Sequence, residues 1–196
     1  ELGYSGLAFE APTQFPENLC EKYSVFQRLT LSLPNASRLK YHAKRNRNKT
    51  DLLVVQGRTK PISLAAAVAT DVDMVMLSDI NDFGGVDSLV ARTLSNQEKP
   101  VEICLRELTR SFGPNRSRLM RTMATAVEHL VRAKCIIIIT SGATTPLELR
   151  GPRDLIALAF LANIPEEVAK NSMYKNSGVL AEMLQQRITG HRKIKS

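Results

Sequence analysis

The feature that most constrains this sequence is a regular alternation of short apolar runs with longer amphipathic stretches. Each run has the length of one β-strand, and most of the intervening stretches have helical periodicity. Strands that alternate with helices usually pair in parallel, with the helices packed outside the sheet. The pattern therefore predicts an α/β fold. We expect six strands, at Gly3–Phe9, Ser24–Leu33, Asp51–Gln56, Val72–Leu77, Val101–Arg106 and Cys135–Thr140.

The helical pattern between and after these strands completes the predicted organisation. Four connecting helices are expected, at Asn35–Asn46, Ile62–Thr70, Val86–Asn96 and Asn115–Ala133. The connection from Phe9 to Ser24 is short and rich in proline, so no helix is predicted there. After the last strand we expect three further helices, at Pro152–Ala162, Pro165–Tyr174 and Gly178–Ile188, and a basic tail at 189–196. The whole chain, 1–196, is predicted to form a single domain.

The first residues affect the expected strand count. Glu1-Leu2-Gly3 reads as the end of a helix that leads directly into a strand. A strand and helix that precede it would raise the count to seven. We therefore expect a distorted TIM-like barrel whose first strand is missing from these residues, with extra C-terminal helices. An open doubly wound sheet is the alternative architecture.

Composition narrows the choice of partner and compartment. The chain has 196 residues, of which 43% are hydrophobic, so it can form a core. Lys and Arg exceed Asp and Glu by 27 to 19, a net charge of +8 that favours a polyanion such as RNA. The longest apolar run, Cys135–Ile139, is too short to cross a membrane, and no signal peptide is recognised. The three cysteines form no CxxC motif, so a reducing, cytoplasmic setting is expected.

Barrel folds are often enzymes, so the residues that could carry catalysis must be considered. None of the three histidines, His42, His129 and His191, lies at a predicted strand end. Lys134 precedes its strand, which is the wrong end for a Schiff-base lysine, and no GxSxG motif occurs. We therefore predict no catalytic residue and no metal site. Ser141, Gly142 and Ala143 follow a strand and form a candidate phosphate loop.

A polar stripe on one strand has two interpretations. Glu102, Cys104 and Arg106 alternate with Val101, Ile103 and Leu105, so the two sets face opposite sides of the sheet. If the polar set faces inward, Glu102 needs a partner, and the candidates are Arg28, Arg106 and Asp73. The stripe is either the remnant of an active site or a buried ion network. We favour the network, because nothing else in the sequence indicates catalysis.

Three basic clusters could meet a polyanion. The first lies on one predicted helix and is interpreted as a solvated face. The second consists entirely of arginine, whose planar guanidinium suits phosphate, and is interpreted as functional. The third joins two arginines to the C-terminal tail. The first cluster consists of Arg38, Lys40, Lys44, Arg45, Arg47 and Lys49. The second consists of Arg106, Arg110, Arg116, Arg118 and Arg121. The third consists of Arg150, Arg153, Arg187, His191, Arg192, Lys193 and Lys195.

The sharpest motif lies after the last predicted strand. It consists of Ser141-Gly142-Ala143 followed by Leu147-Glu148-Leu149-Arg150-Gly151-Pro152-Arg153-Asp154-Leu155. This segment resembles the C-terminal signature of ribonuclease P protein component 3, the barrel-shaped subunit of archaeal and eukaryotic ribonuclease P. Gly85-Val86-Asp87 with Leu89-Val90-Ala91-Arg92 is similar to a segment of the archaeal members. Where those members tend to have His after the Asp, this chain has Ser88, which puts an RNA contact from that position in doubt.

The resemblance implies a distorted seven-stranded barrel that is related to metal-dependent phosphoesterases but lacks their His-rich site. It implies a subunit that binds and stabilises a catalytic RNA during 5′ maturation of precursor tRNA and has no activity alone. The implied partners are ribonuclease P RNA and protein component 2, in a heterotetramer of two pairs, with magnesium bound to the RNA. The alternative is a barrel-type metal-dependent phosphoesterase. The RNA-binding residues expected are Arg92, Arg106, Arg116, Arg121, Arg150 and Arg153.

Overall fold

One parallel sheet organises the molecule. The structure, a computed structural model, describes residues 4–10 and 23–195, with the backbone alone for residues 190–195. All six predicted strands are present, with shorter or shifted ends, and they pair in chain order. They are β1 (Gly6–Glu10), β2 (Ser24–Leu31), β3 (Leu52–Gln56), β4 (Met74–Leu77), β5 (Val101–Cys104) and β6 (Ile137–Thr140).

Helices connect the strands or follow the last of them. Those that connect or follow the strands are α1 (Leu39–Asn46), α2 (Lys60–Val68), α3 (Ile80–Gly84), α4 (Ser88–Asn96), α5 (Arg106–Arg110), α6 (Gly113–Arg132), α7 (Pro152–Leu161), α8 (Glu166–Asn171) and α9 (Ser177–Lys195). A π-helical turn, Ser172–Asn176, joins α8 to α9. The short α3 and α5 were not predicted, because five residues give no periodic signal. A capping box starts α3, in which Asp79 accepts hydrogen bonds from the N–H groups of Asn81 and Asp82.

The strands bury side chains on both faces, as parallel strands do. On β3, Leu53 and Val55 face the helices and belong to the main core. Leu52 and Val54, the alternate residues, belong to a second cluster on the concave face. The curled sheet therefore has an inner and an outer apolar layer, and the period of two along each strand separates them.

The C-terminal helix α9 fills part of the concave face. Leu184 of α9 packs in the inner cluster with Phe26, Leu52, Val54, Met74 and Ile138. Arg187 Nη1 lies 2.8 Å from Asp73 Oδ1, and Gln185 Nε2 donates to Ser24 Oγ at 3.3 Å. Asp73 and Ser24, the two partners of α9, lie at the amino-terminal ends of strands. The helix thus closes the end of the sheet opposite to the loops that follow the strands.

The strand count differs from the expected seven. Within residues 4–10 and 23–195 the sheet has six strands, and β1 and β6 are its edges. The described fold is therefore a curled half-barrel. Residues 1–3, expected to end a helix, and the predicted helix-free connection at 11–22, which includes Cys20, lie outside the described residues. The residues expected to form a basic tail continue α9 as far as Lys195.

A buried ion pair crosses the interior of the curled sheet. Glu102 of β5 is 1% exposed, and Arg28 of β2 approaches both its oxygens, with Nη1 2.8 Å from Oε1 and Nη2 2.7 Å from Oε2. Thr140 Oγ1 also donates to Glu102 Oε1, at 2.7 Å. Glu10 extends the network, since its Oε2 lies 3.3 Å from Arg28 Nε. Burial alone would lower the pKa of Arg28, but the charge of Glu102, its hydrogen bond with Arg28 and the charge of Glu10 together raise it.

The predicted network is confirmed for Arg28 and wrong for the other two candidates. Arg106 points away from Glu102, and its Nε lies 3.7 Å from Glu107 Oε1. The reason is that β5 ends at Cys104, so Arg106 already belongs to α5 and leaves the strand's alternation. Asp73 precedes β4 at the opposite end of the sheet and bonds to Arg47 and Arg187.

Removal of the Glu102 carboxylate should strongly destabilise the fold. In Glu102→Ala, Arg28 keeps a buried charge without its main partner, which costs roughly 3–5 kcal/mol in the free energy of unfolding. Glu10→Ala is the matched control, because Glu10 is 53% exposed and its loss should cost less than about 1 kcal/mol. Urea denaturation measures both. If Glu102→Ala folds too poorly to measure, Glu102→Gln replaces it, and equal stabilities for the Gln variant and the Glu10 control would contradict the assignment.

Candidate RNA interface

The loop after β6 packs directly against the end of β5. Gly142 has φ +60°, and a Cβ at this position would lie 2.1 Å from Cys104 Sγ and 3.3 Å from the Cβ of Arg106. Only glycine satisfies both the left-handed backbone and this approach. Burial raises the pKa of the Cys104 thiol, so it packs as a neutral group. The close contact holds Arg106, the first residue of α5, at the carboxyl edge of the sheet.

A second contact joins the same two segments. Arg110, at the end of α5, donates through Nε to Glu148 Oε1 at 2.7 Å, and its Nη2 donates to Thr144 Oγ1 at 2.9 Å. Glu148 also accepts from the N–H and the hydroxyl of Thr144, at 2.7 and 2.8 Å. These bonds from Thr144, together with Arg110, lower the pKa of Glu148 to about 2. Glu148 is therefore ionised at neutral pH and fixes the loop.

The segment that carries the sequence signature continues from this loop. The Nη1 of Arg150 donates to the carbonyls of Leu147 and Leu149, at 2.8 and 2.9 Å. Its own carbonyl accepts from the hydroxyl of Tyr4 at 2.8 Å, which ties the segment to the chain before β1. Arg153 follows in the first turn of α7 and is exposed. Arg150 is thus partly used in shaping the loop, whereas Arg153 points into solvent.

Two of the predicted arginines keep donors that the protein does not satisfy. The buried Nε atoms of Arg106 and Arg116 make no hydrogen bond with any described residue. Arg116 lies in the first turns of α6, with its guanidinium carbon 5.5 Å from the centre of the Phe112 ring. Phe112 is 75% exposed. Both side chains are partly exposed near the carboxyl edge, although these Nε atoms themselves are buried.

The remaining predicted arginines are less closely connected to this edge. Arg121 is exposed further along α6, and no hydrogen bond or ion pair to a described residue holds it. Arg92 is exposed on α4, where its Nε donates to the carbonyl of Ser88 at 3.2 Å. Arg110 was absent from the predicted set, although it makes the strongest connection between the two loops. Its position in an all-arginine cluster was visible, but its partner Glu148 is 38 residues away in the chain.

The candidate phosphate loop uses some of its donors internally. The N–H of Ala143 donates to Ser141 Oγ at 3.3 Å, and the next N–H, that of Thr144, donates to Glu148. The close contact with Cys104 explains why residue 142 is a glycine. Phosphate binding by Ser141, Gly142 and Ala143 therefore stays a prediction, with fewer backbone donors than a fully open loop offers.

A buried carboxylate that the sequence did not single out lies at the same edge of the sheet. Asp82 of α3 is fully buried and accepts from the N–H and the hydroxyl of Ser78, at 2.8 and 2.9 Å, and from Gln56 Nε2 at 3.0 Å. Burial raises its pKa. Because protein groups saturate its oxygens, Asp82 positions α3 on the ends of β3 and β4 and is not an exposed acid.

These features define the class of protein. No three or more His, Cys, Asp and Glu residues of the described chain are grouped so that they could hold a metal ion. None of the described helices is long and apolar enough to span a membrane. A half-barrel of parallel strands with arginine-rich loops at its carboxyl edge is suited to hold a polyanion by its phosphates.

Comparison with known proteins identifies the family. The sequence profile described as RNase P subunit p30 matches residues 1–189, so this chain belongs to the RNase P subunit p30 family. Ribonuclease P protein component 3 of Methanosarcina barkeri is 25% identical over 174 residues, which cover 86% of this chain and 73% of the relative. The protein of the same name from Methanococcus maripaludis strain C5 is 28% identical over 153 residues, or 78% of this chain and 65% of the relative.

A solved structure supports the fold. A chain in the cryo-EM structure of archaeal ribonuclease P with mature tRNA superposes with a TM-score of 0.78 and 22% sequence identity. The match covers 94% of this chain and 84% of that chain. The architecture of the curled sheet and its helices is therefore that of a known protein structure.

The packing of Gly142 gives a direct test of the loop geometry. Gly142→Ala should lower the free energy of unfolding by roughly 2–4 kcal/mol, because the methyl group meets Cys104 Sγ and the backbone is left-handed. The loss should be smaller when Cys104 is already alanine, since only the backbone strain then remains. Gly178→Ala is the control, because a Cβ there meets no atom within 4 Å. Equal effects of Gly142→Ala in the two backgrounds would contradict the contact.

Proposed function

We propose that this chain is a protein subunit of ribonuclease P that binds and stabilises the catalytic RNA for 5′ maturation of precursor tRNA. The observation that carries the proposal is the family profile, which matches residues 1–189. The relatives named ribonuclease P protein component 3, and the superposition on a chain of archaeal ribonuclease P with mature tRNA, support it. The net charge of +8 is consistent with an RNA partner.

The proposed RNA contacts lie at the carboxyl edge of β5 and β6. Arg106 and Arg116 are partly exposed there, and Arg121 and Arg153 are exposed. A guanidinium pairs with two phosphate oxygens at once, so these side chains suit the backbone of a folded RNA. Arg150 contributes through its remaining donors, and Arg92 is the most peripheral member of the set. Such contacts orient the RNA and do not read its sequence.

The proposed role is not catalytic. A hydrolase would need a nucleophile, an acid–base pair or grouped metal ligands, and the described residues offer no such metal-ligand group. We propose that the RNA performs the cleavage with its own magnesium ions and that this chain requires no cofactor. The alternative, a metal-dependent phosphoesterase, is not favoured by any feature of the site.

The remaining parts of the proposal concern assembly. Protein component 2 is the proposed protein partner, in a heterotetramer of two pairs, within a cytoplasmic ribonucleoprotein. The edge of β1 pairs with no further described strand, so the proposed seventh strand would pair there, whereas on the edge of β6 the N–H of Ile139 donates to Ser172 Oγ and the Ile137 carbonyl accepts from Asn176. Precursor tRNA would be contacted indirectly, through the RNA.

Activity in reconstituted particles tests the role of the chain. Alone, it should not cleave precursor tRNA, with or without magnesium. Added to the cognate RNA and the other protein components, it should raise the rate of cleavage at the 5′ end. Chelator-sensitive cleavage of precursor tRNA by the isolated chain would favour the phosphoesterase alternative and reject the non-catalytic role.

Salt dependence tests the proposed contacts. Arg106→Ala, Arg116→Ala and Arg153→Ala should each weaken binding to ribonuclease P RNA and reduce the slope of log affinity against log salt by roughly 0.7–0.9 per lost phosphate contact. Arg132→Ala serves as the control, because Arg132 is 73% exposed at the far end of α6 and already pairs with Glu128. Wild-type slopes in all three variants would show that the RNA binds elsewhere on the molecule.

A further inference from the structure

Helix α1 presents a charged face that the proposed interface does not use. Leu39 and Ala43 of α1 are buried in the main core, one turn apart. The side chains on the outward side are exposed. We call this outward side the α1 cationic face, and it consists of Arg38, Lys40, Tyr41, Lys44 and Arg45.

The positive charges of this face have no acidic partner among the residues that the structure describes. No Asp or Glu occurs between Ser32 and Thr50. Of the basic residues in that stretch, Arg47 alone forms an ion pair with a described residue, and it turns inward to Asp73. Exposed cations on other helices behave differently, since Arg132 pairs with Glu128 and Lys170 with Glu166. The α1 cationic face is therefore an uncompensated patch.

The helix dipole opposes only the cations at the start of this helix. Arg38 is the N-cap and Lys40 lies in the first turn, where the partial positive charge of the dipole repels cations and no acid is present, whereas Lys44 and Arg45 lie in the last turn, where the dipole favours them. Lys40 and Lys44 are one turn apart and repel each other. An anionic partner would relieve both unfavourable interactions.

The chemistry of the face indicates the kind of partner. Tyr41 is 62% exposed at the centre of the cations, and Arg45 Nη1 donates to its hydroxyl at 3.3 Å. An exposed aromatic ring surrounded by cations is typical of surfaces that follow a nucleic-acid backbone. An acidic protein would also match the charge, but the net charge of +8 and the family both favour RNA.

The position of the face separates it from the interface at β5 and β6. Helix α1 follows β2, and α5 and α6 follow β5, three strands away in the sheet order. The two surfaces are therefore carried by helices that follow different strands of the sheet. One RNA helix that contacts the arginines near β5 and β6 would leave the α1 cationic face to another segment.

We propose that the α1 cationic face is a second RNA-contact surface that binds the phosphate backbone of a different RNA segment from the one held near β5 and β6. The proposal rests on the proposed function, since it deepens the same RNA-binding role. Two surfaces of this kind would let one subunit hold two parts of a folded RNA at a set separation.

The test compares two variants that lose the same charge. The first is Lys40→Ala/Lys44→Ala/Arg45→Ala, in which alanine preserves the helix. The second, the control, is Arg132→Ala/Lys170→Ala/Lys175→Ala, from exposed positions elsewhere. Binding of each to the cognate ribonuclease P RNA is measured over a salt series, with circular dichroism to verify folding. Hydroxyl-radical footprinting then maps the protected nucleotides for both and for Arg106→Ala/Arg116→Ala.

We expect the α1 variant to reduce the slope of log affinity against log salt by roughly 2–3, which is three contacts at about 0.7–0.9 each. It should lose protection of a segment that Arg106→Ala/Arg116→Ala still protects, whereas the control keeps both. An α1 variant that matches the control overturns this inference and leaves the proposed function intact. Loss of component 2 binding with unchanged RNA binding also overturns it, in favour of a protein partner. Failure of the wild-type chain to bind the RNA rejects the proposed function itself.

Discussion

The ion pair between Arg28 and Glu102 is the constraint on which the interior of this protein depends. A curled parallel sheet encloses a space that apolar side chains usually fill. Here two charges from strands on opposite sides of that space meet, with Thr140 and Glu10 completing their contacts. Such a pair adds little net stability, because desolvation offsets the attraction, but it penalises every arrangement that separates the charges. It therefore specifies how far the sheet curls and which strands face each other.

Contacts with this interior hold the carboxyl edge of β5 and β6 in place. Cys104 follows Glu102 on the same inward side of β5, and Gly142 packs on its sulfur, so the loop after β6 rests on the interior layer. Arg110 and Glu148 then join that loop to α5. The pKa of Glu148, lowered to about 2, keeps this connection charged into the acidic range. Arginines carried by such a frame lose little conformational entropy when they meet a phosphate, which favours affinity.

The sequence predicted what depends on periodicity and missed what depends on tertiary contacts. Apolar runs located all six strands, and the alternation around Glu102 correctly identified an inward charge and its partner Arg28. The prediction wrongly extended this alternation to Arg106, because no residue type in the sequence marks the end of β5 after Cys104. The Arg110–Glu148 contact and the burial of Asp82 join residues through the fold alone. Helix α9 was predicted, but its apolar stripe did not reveal that it packs inside the sheet.

The place of α9 has a consequence for the order in which the molecule can form. Leu184 and its neighbours supply the inner cluster at the amino-terminal ends of the strands, and Arg187 satisfies Asp73 there. Strands β2, β3 and β4 are made long before α9 leaves the ribosome. Until then, α9 does not cover the apolar side chains on the concave face of these strands. The inner apolar layer is therefore complete only after α9, the most C-terminal of the described helices, has packed on the concave face.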